Sequence, residues 1–146
     1  MISKLKNFLL AIGFMQLWLV GIVLIYKTVY SQYPTSPQIH SWTDWNLWWE
    51  AIIMAPITEE IFFRLMPIEL AKRYFPDLLW TIILCSSLLF AYYHEYGYWA
   101  VPIQGVMGLV SSWLYLKNKE IYSCIIFHAG YNFLVIFGWN LLANII

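Results

Sequence analysis

Polar interruptions divide the chain into five apolar runs. The first, Asn7 to Tyr26, holds no charge between Lys6 and Lys27, and at about 1.5 Å of rise per residue it is long enough to cross a bilayer core. It is too long for a signal peptide, and no small-residue cleavage site follows it, so residues 7–26 read as an N-terminal membrane helix. Residues 28 to 44 form a polar connector with Pro34, Pro37, His40 and Asp44, and Asp44 is placed to cap the next helix. The second run, Trp45 to Ala71, contains the charged positions and Pro56. That proline predicts a bend one turn before Glu59 and a released backbone carbonyl. After the basic turn Lys72 to Asp77, the third run spans Leu78 to Tyr93 and ends at His94. Glu95 to Gly97 forms the return. The fourth run is Tyr98 to Leu116, and after Lys117 to Glu120 the fifth runs from Ile121 to Ile146 with no ionisable carboxylate or amine, only His128. The pattern predicts an all-α, polytopic membrane helical bundle of about five transmembrane helices, in one domain over residues 1–146.

Composition agrees with a lipid environment. Hydrophobic residues make up 62% of the chain and the mean hydropathy is +0.65. Charged residues make up 11%, against about a quarter in soluble domains. No basic patch points to nucleic acid. The zero net charge conceals an asymmetry: threaded from residue 7, the chain puts Lys4, Lys6, Lys72, Arg73, Lys117 and Lys119 on one side and only Lys27 on the other. This predicts a cytoplasmic N-terminus and an external C-terminus. Cys85 and Cys124 fall in apolar runs, where a thiol behaves as a small hydrophobe.

Glu59, Glu60 and Arg64 are the costly residues, because ionisable side chains at bilayer depth cost several kcal/mol and mark functional sites when they face a protein interior or a wet cavity. On a helix, Glu60 and Arg64 share a face while Glu59 diverges by about 100°. Glu60 is therefore the ion-pair partner, and Glu59 is free to accept a proton from water. The bland alternative, that both glutamates merely join helices, could be met more cheaply by Ser, Thr or Gln. Glu50 and Glu69 read as solvated, Glu69 beside Lys72 and Arg73. Gly105, Gly108 and Ser112 read as small packing residues. Phe90 and His94, and His128 and Asn132, stand one turn apart on their helices. An imidazole and a carboxamide together match what an oxyanion site requires. Counted from the basic turns, Glu59 lies roughly 18 Å deep, His94 roughly 24 Å, His128 roughly 12 Å and Asn132 roughly 18 Å, so the four can converge.

Glu59-Glu60-x-x-x-Arg64, Phe90-x-x-x-His94 and His128-x-x-x-Asn132, in this order, resemble the three motifs of the CAAX protease and bacteriocin-processing family of intramembrane glutamic endopeptidases, also known as the Abi or type II CAAX prenyl endopeptidases. Ala55-Pro56 and Gly108-x-x-x-Ser112 add to the likeness, which covers residues 45–137. The resemblance implies that Glu59 with His94 activates a water, that His128 with Asn132 stabilises the tetrahedral oxyanion, and that Glu60 and Arg64 structure the site. No cofactor and no metal are implied. The substrate would be a membrane-associated or hydrophobic peptide, and the location a bacterial plasma membrane. With few helices beyond this core, the site would be laterally open or walled by a homo-oligomer. Two alternatives stay open. A zinc-dependent metalloprotease would use Glu59, His94 and His128 as ligands, although Tyr98 stands where the H-E-x-x-H signature needs its second histidine. A non-catalytic immunity or peptide-binding protein would use the same polar pocket without cutting.

Overall fold

Each apolar run forms a rod. The computed structural model describes residues 2–30, 45–94 and 100–143, and all regular structure among them is helical. Helix α1 is Ile2–Tyr30, longer than the apolar run at both ends because flanking polar residues continue the helix. Near its end, Thr28 Oγ1 donates to the carbonyls of Leu24 and Ile25 at 3.0 and 2.8 Å. Rod α2 covers residues 45–74 and is interrupted by two wide π turns, Trp49–Met54 and Ile61–Leu65. Helix α3 is Leu79–Tyr93, entered through the 3₁₀ turn Pro76–Leu78. Rod α4, residues 100–118, begins with a third π turn, Val101–Gly105. Helix α5 is Ile121–Ala143. The connector with Pro34, Pro37, His40 and the expected cap Asp44, the return at Glu95 to Gly97, and residues 98–99 and 144–146 lie outside the described residues.

Two helices, Ile2–Val29 and Pro76–Tyr93, are long and apolar enough to cross a membrane, and Ile121–Ile136 is a shorter apolar helix. Rods α2 and α4 carry Glu59, Glu60, Arg64, Gln104, Ser111 and Ser112 along their length, so length and apolarity alone support fewer spans than the five expected. Met15, Ile68, Ile83, Phe90, Met107, Leu114, Phe127 and Tyr131 form a buried core. Leu17, Leu24, Phe62, Trp80, Leu89 and Ile126 face outward. Buried carboxylate and guanidinium within, large apolar side chains without, is the distribution expected where the surroundings are lipid.

The prolines explain several cross-links between rods. In the register set by the Ala55 N–H bonding to Glu50 O, the next donor, for Ala51 O, would come from position 56. Pro56 has none. Asn132 of α5 supplies it, with Nδ2 2.8 Å from Ala51 O. Phe63 O, four residues before Pro67, receives instead the hydroxyl of Ser86 from α3 at 2.6 Å. The carbonyl of Pro102, inside the third π turn, accepts from Trp18 Nε1 of α1 at 2.6 Å. Side chains of neighbouring rods thus satisfy carbonyls in the irregular backbone.

Glycine matters at one close approach. A methyl group on Gly108 would stand 3.0 Å from Ser87 Cβ and 3.1 Å from Arg64 Nη2, whereas at Gly105 the nearest atom would be at an ordinary 3.7 Å. Gly108 therefore lets α4 close on α3 over the Arg64 side chain.

One end of the bundle is tied by polar groups. Lys4 bonds to Glu120, which also accepts from Ser123 Oγ at 3.0 Å. Asn7 donates to Asn118 at 2.8 Å and Asn118 to Ser123 at 2.9 Å. The Lys4 bond, then the Ser123 bond, hold the Glu120 carboxyl below its usual range. Lys72 pairs with Glu69 at 2.8 Å, and Tyr115 OH donates to the same oxygen at 2.7 Å. Lys4, Lys72 and the Lys117 to Lys119 turn therefore gather at one end.

Candidate active site

Rods α2, α3 and α5 each bring one group to a common point. Glu59 Oε2 lies 3.6 Å from His94 Nε2 and 3.8 Å from His128 Nε2. This oxygen is buried without a hydrogen-bond partner among the described residues. The openness is graded: the Glu59 and His94 side chains are 16% and 18% exposed and His128 is 1% exposed. The Glu59 and His94 side chains are thus partly open while Glu59 Oε2 itself and His128 are buried. A water oxygen at about 2.8 Å from both a carboxylate oxygen and an imidazole nitrogen fits beside gaps of this width.

The far nitrogen of each imidazole is held. His94 Nδ1 lies 2.8 Å from Phe90 O, one turn back on α3. A carbonyl only accepts, so Nδ1 carries the proton and Nε2 is turned to Glu59. His128 Nδ1 lies 2.9 Å from Glu60 Oε1. The other Glu60 oxygen accepts from Ser111 Oγ at 2.6 Å and stands 3.5 Å from Arg64 Nε. Glu60 and Arg64 are both fully buried, while Glu59, one residue earlier, points toward the open side. The 100° divergence of neighbouring helical residues produces this division of the two carboxylates.

Arg64 is held by charge and ring contact rather than by hydrogen bonds. None of its three nitrogens has a hydrogen-bond partner among the described residues, but the guanidinium lies 4.3 Å from the centre of the Phe90 ring. The same ring lies 4.4 Å from the His94 ring and meets the His128 ring edge-on at 5.7 Å. Phe90 is thus the apolar wall shared by the arginine and both histidines. Its contact with Arg64 offsets part of the cost of burying that charge.

Of the residues singled out in the sequence, Glu59, His94 and His128 meet at one point, and Glu60 and Arg64 stand behind His128. Asn132 lies one turn beyond His128 on α5 with one amide hydrogen given to Ala51 O, and among the described residues no hydrogen bond joins it to the other three. A carboxamide has a second amide hydrogen. Among the described residues, no group of three His, Cys, Asp or Glu side chains is arranged to hold a metal ion. Sequence reasoning missed Ser111. The available signal was a hydroxyl in an apolar run, three residues after Gly108 on the same face, which must find an acceptor when buried.

No curated protein and no solved structure matches the chain. A family model does, over residues 40–134, the stretch that holds every residue just described. With well over half of its length matched, the chain belongs to the Rce1-like family of type II CAAX prenyl endopeptidases, a family of membrane proteases.

Proposed function

We propose that the protein is an intramembrane glutamic endopeptidase that hydrolyses a peptide bond in a membrane-associated or hydrophobic peptide. Membership of a membrane protease family supports the reaction class. The observation that carries the mechanism is Glu59 Oε2 facing the Nε2 atoms of His94 and His128. Glu59 and His94 hold a water between them, and Glu59 takes its proton as the water oxygen bonds to the carbonyl carbon. The carbonyl π electrons move to oxygen, where His128 and the second amide hydrogen of Asn132 meet the charge. When the C–N bond breaks, its electron pair goes to nitrogen, and Glu59 returns the proton to the leaving amine. Each oxyanion donor contributes on the order of 100-fold or more in rate. Glu60 and Arg64 hold this arrangement in place.

The five rods are the five membrane spans of this reading, with the Lys-rich end in the cytoplasm and the C-terminus outside. Glu60 and Arg64 of α2 and Ser111 and Ser112 of α4 are tolerated because they point inward. The test uses the purified full chain in lipid vesicles, incubated with membrane peptides of its own cell, with the new termini sequenced. Cleavage that persists in the presence of a metal chelator supports a glutamate-activated water. Cleavage lost with chelator and restored by zinc would assign the chemistry to a metal instead, and absence of new termini would favour a binding or immunity role.

A further inference from the structure

A groove runs along the outside of the bundle between α2 and α3. Phe62, Phe63, Pro67, Ile82, Cys85 and Leu89 line it, and it offers about 240 Å³ of space with an almost wholly apolar surface. Phe62 and Leu89 are exposed at its rim. The carbonyl of Phe63, which Pro67 leaves without a helical donor, is filled by the Ser86 hydroxyl at 2.6 Å, so the irregular backbone puts no unmet acceptor into the lining. Sites for compact ligands are larger and carry several converging polar groups. A slender apolar chain needs neither.

The chemistry changes toward the turn that joins the two rods. Pro67 and Thr81 are the lining residues nearest that turn. Tyr74 stands seven residues beyond Pro67, nearly two helical turns, and so on the same face about 10 Å further along. The Arg73 guanidinium lies 5.3 Å from the centre of the Tyr74 ring. On the other side, Asp77 stands in the 3₁₀ turn Pro76–Leu78, four residues before Thr81. Arg73 and Asp77 are both exposed, and among the described residues neither belongs to an ion pair. Lys72, by contrast, is committed to Glu69 at 2.8 Å and lies 4.9 Å from the Tyr115 ring of α4. The groove therefore ends in a hydroxyl, one cation and one anion.

We propose that the groove binds one molecule of a zwitterionic phospholipid with a primary ammonium headgroup, an acyl chain lying between α2 and α3, the phosphate at Arg73 and the ammonium at Asp77. An apolar stretch, then the Thr81 hydroxyl, then opposite charges follows the order of acyl chain, ester and headgroup. Charge selects the headgroup class. An anionic lipid gains Arg73 but is repelled by Asp77, whereas a phosphate and an ammonium in one headgroup satisfy both. A quaternary ammonium has no N–H for the Asp77 carboxylate. The inference rests on the chain lying in lipid, which its family of membrane proteases and the span-length apolar helix Pro76–Tyr93 support, and not on cleavage. Phe63 of the groove meets Phe90 edge-on at 5.5 Å, so a seated chain backs the wall that Arg64 and both histidines share.

The test is native mass spectrometry of the delipidated full chain in detergent, titrated with phospholipids of identical acyl chains that carry ethanolamine, choline or glycerol headgroups. Expected is one bound molecule, with the ethanolamine lipid held roughly tenfold more tightly than the other two. Arg73→Gln should weaken all three, and Asp77→Asn should abolish the preference for ethanolamine over choline. Location is read from Cys85, which is exposed in the groove while Cys124 is buried: its alkylation by a small thiol reagent should slow as the ethanolamine lipid binds. Soluble phosphoethanolamine, which has no chains, should displace nothing. Equal affinities for the three lipids, or several equivalent lipids per chain, would mean an unselective lipid shell and overturn the proposal. An unchanged Cys85 rate at saturating lipid, or displacement by the soluble headgroup, would overturn it as well. The wild-type titrations decide the matter even if a variant fails to fold, and no arm involves cleavage, so failure of the peptidase reading leaves the result intact.

Discussion

Replacing Arg64 by methionine removes a buried charge from beside a buried carboxylate and nearly keeps the side-chain volume. The Arg64 Nε to Glu60 Oε2 separation is 3.5 Å, which at an effective dielectric of about 20 corresponds to a gross attraction of about 5 kcal/mol. Stacking of the guanidinium on Phe90 at 4.3 Å adds on the order of 1–2 kcal/mol. Relief of arginine desolvation offsets part of both, so the single substitution should cost about 3–5 kcal/mol, the range measured when one partner of a buried pair is lost. Glu60→Gln should cost a similar amount, because it removes the buried carboxylate that stands 3.5 Å from Arg64 Nε. The double variant should be less destabilised than the sum of the singles, by about 3 kcal/mol or more. Detergent-based unfolding of the four proteins, followed by far-UV circular dichroism, gives the cycle. A strictly additive double variant, or an Arg64→Met protein as stable as the wild type, would refute the pairing.

Other substitutions read other joints of the structure. Asn132→Ala should cost about 1–3 kcal/mol by leaving Ala51 O without a donor, and Pro56→Ala, which supplies a backbone N–H, should lower that cost in the double variant. The same unfolding assay measures both, and equal costs in the two backgrounds would mean that Asn132 does not replace the proline donor. Gly108→Ala should destabilise by about 1–3 kcal/mol through the contacts with Ser87 and Arg64, while Gly105→Ala should be nearly neutral, and equal effects would contradict the close approach. Lys119 adopts φ 57° and donates its N–H to Tyr115 O at 2.7 Å. Lys119→Gly should therefore raise stability by roughly 0.5–1 kcal/mol, measured as a higher Tm, and a lower Tm would count against the left-handed cap.

How much of this could be read from the residues depends on whether a relation is local to one helix. The Glu60 and Arg64 pair, the divergence of Glu59 and the carbonyl released by Pro56 all follow from spacing along a single rod, and each appears in the structure. Contacts between rods were out of reach. Ser111 meeting Glu60, Tyr115 meeting Glu69, Trp18 meeting Pro102 and Asn132 meeting Ala51 all depend on how one rod slides and turns against another, and helical periodicity carries no record of that offset. The histidines show the boundary well. Helix depth allowed them to reach the glutamates and the family resemblance implied that they do, but which ring nitrogen faces the site follows from Phe90 O and Glu60, one local and one distant in sequence. The buried charges of α2 lower its apolarity, and among the described residues length and composition mark two helices, not five, as able to cross a membrane.

The central claim is that Glu59 takes up the proton of an attacking water. It is tested most directly by single-turnover cleavage, in lipid vesicles, of a peptide that the wild type cuts, comparing the wild type with Glu59→Gln. The amide has nearly the shape of the carboxylate but cannot accept that proton. Cleavage should fall by at least about 100-fold while circular dichroism and peptide binding stay unchanged. A folded Glu59→Gln protein that cuts at the wild-type rate would contradict the account.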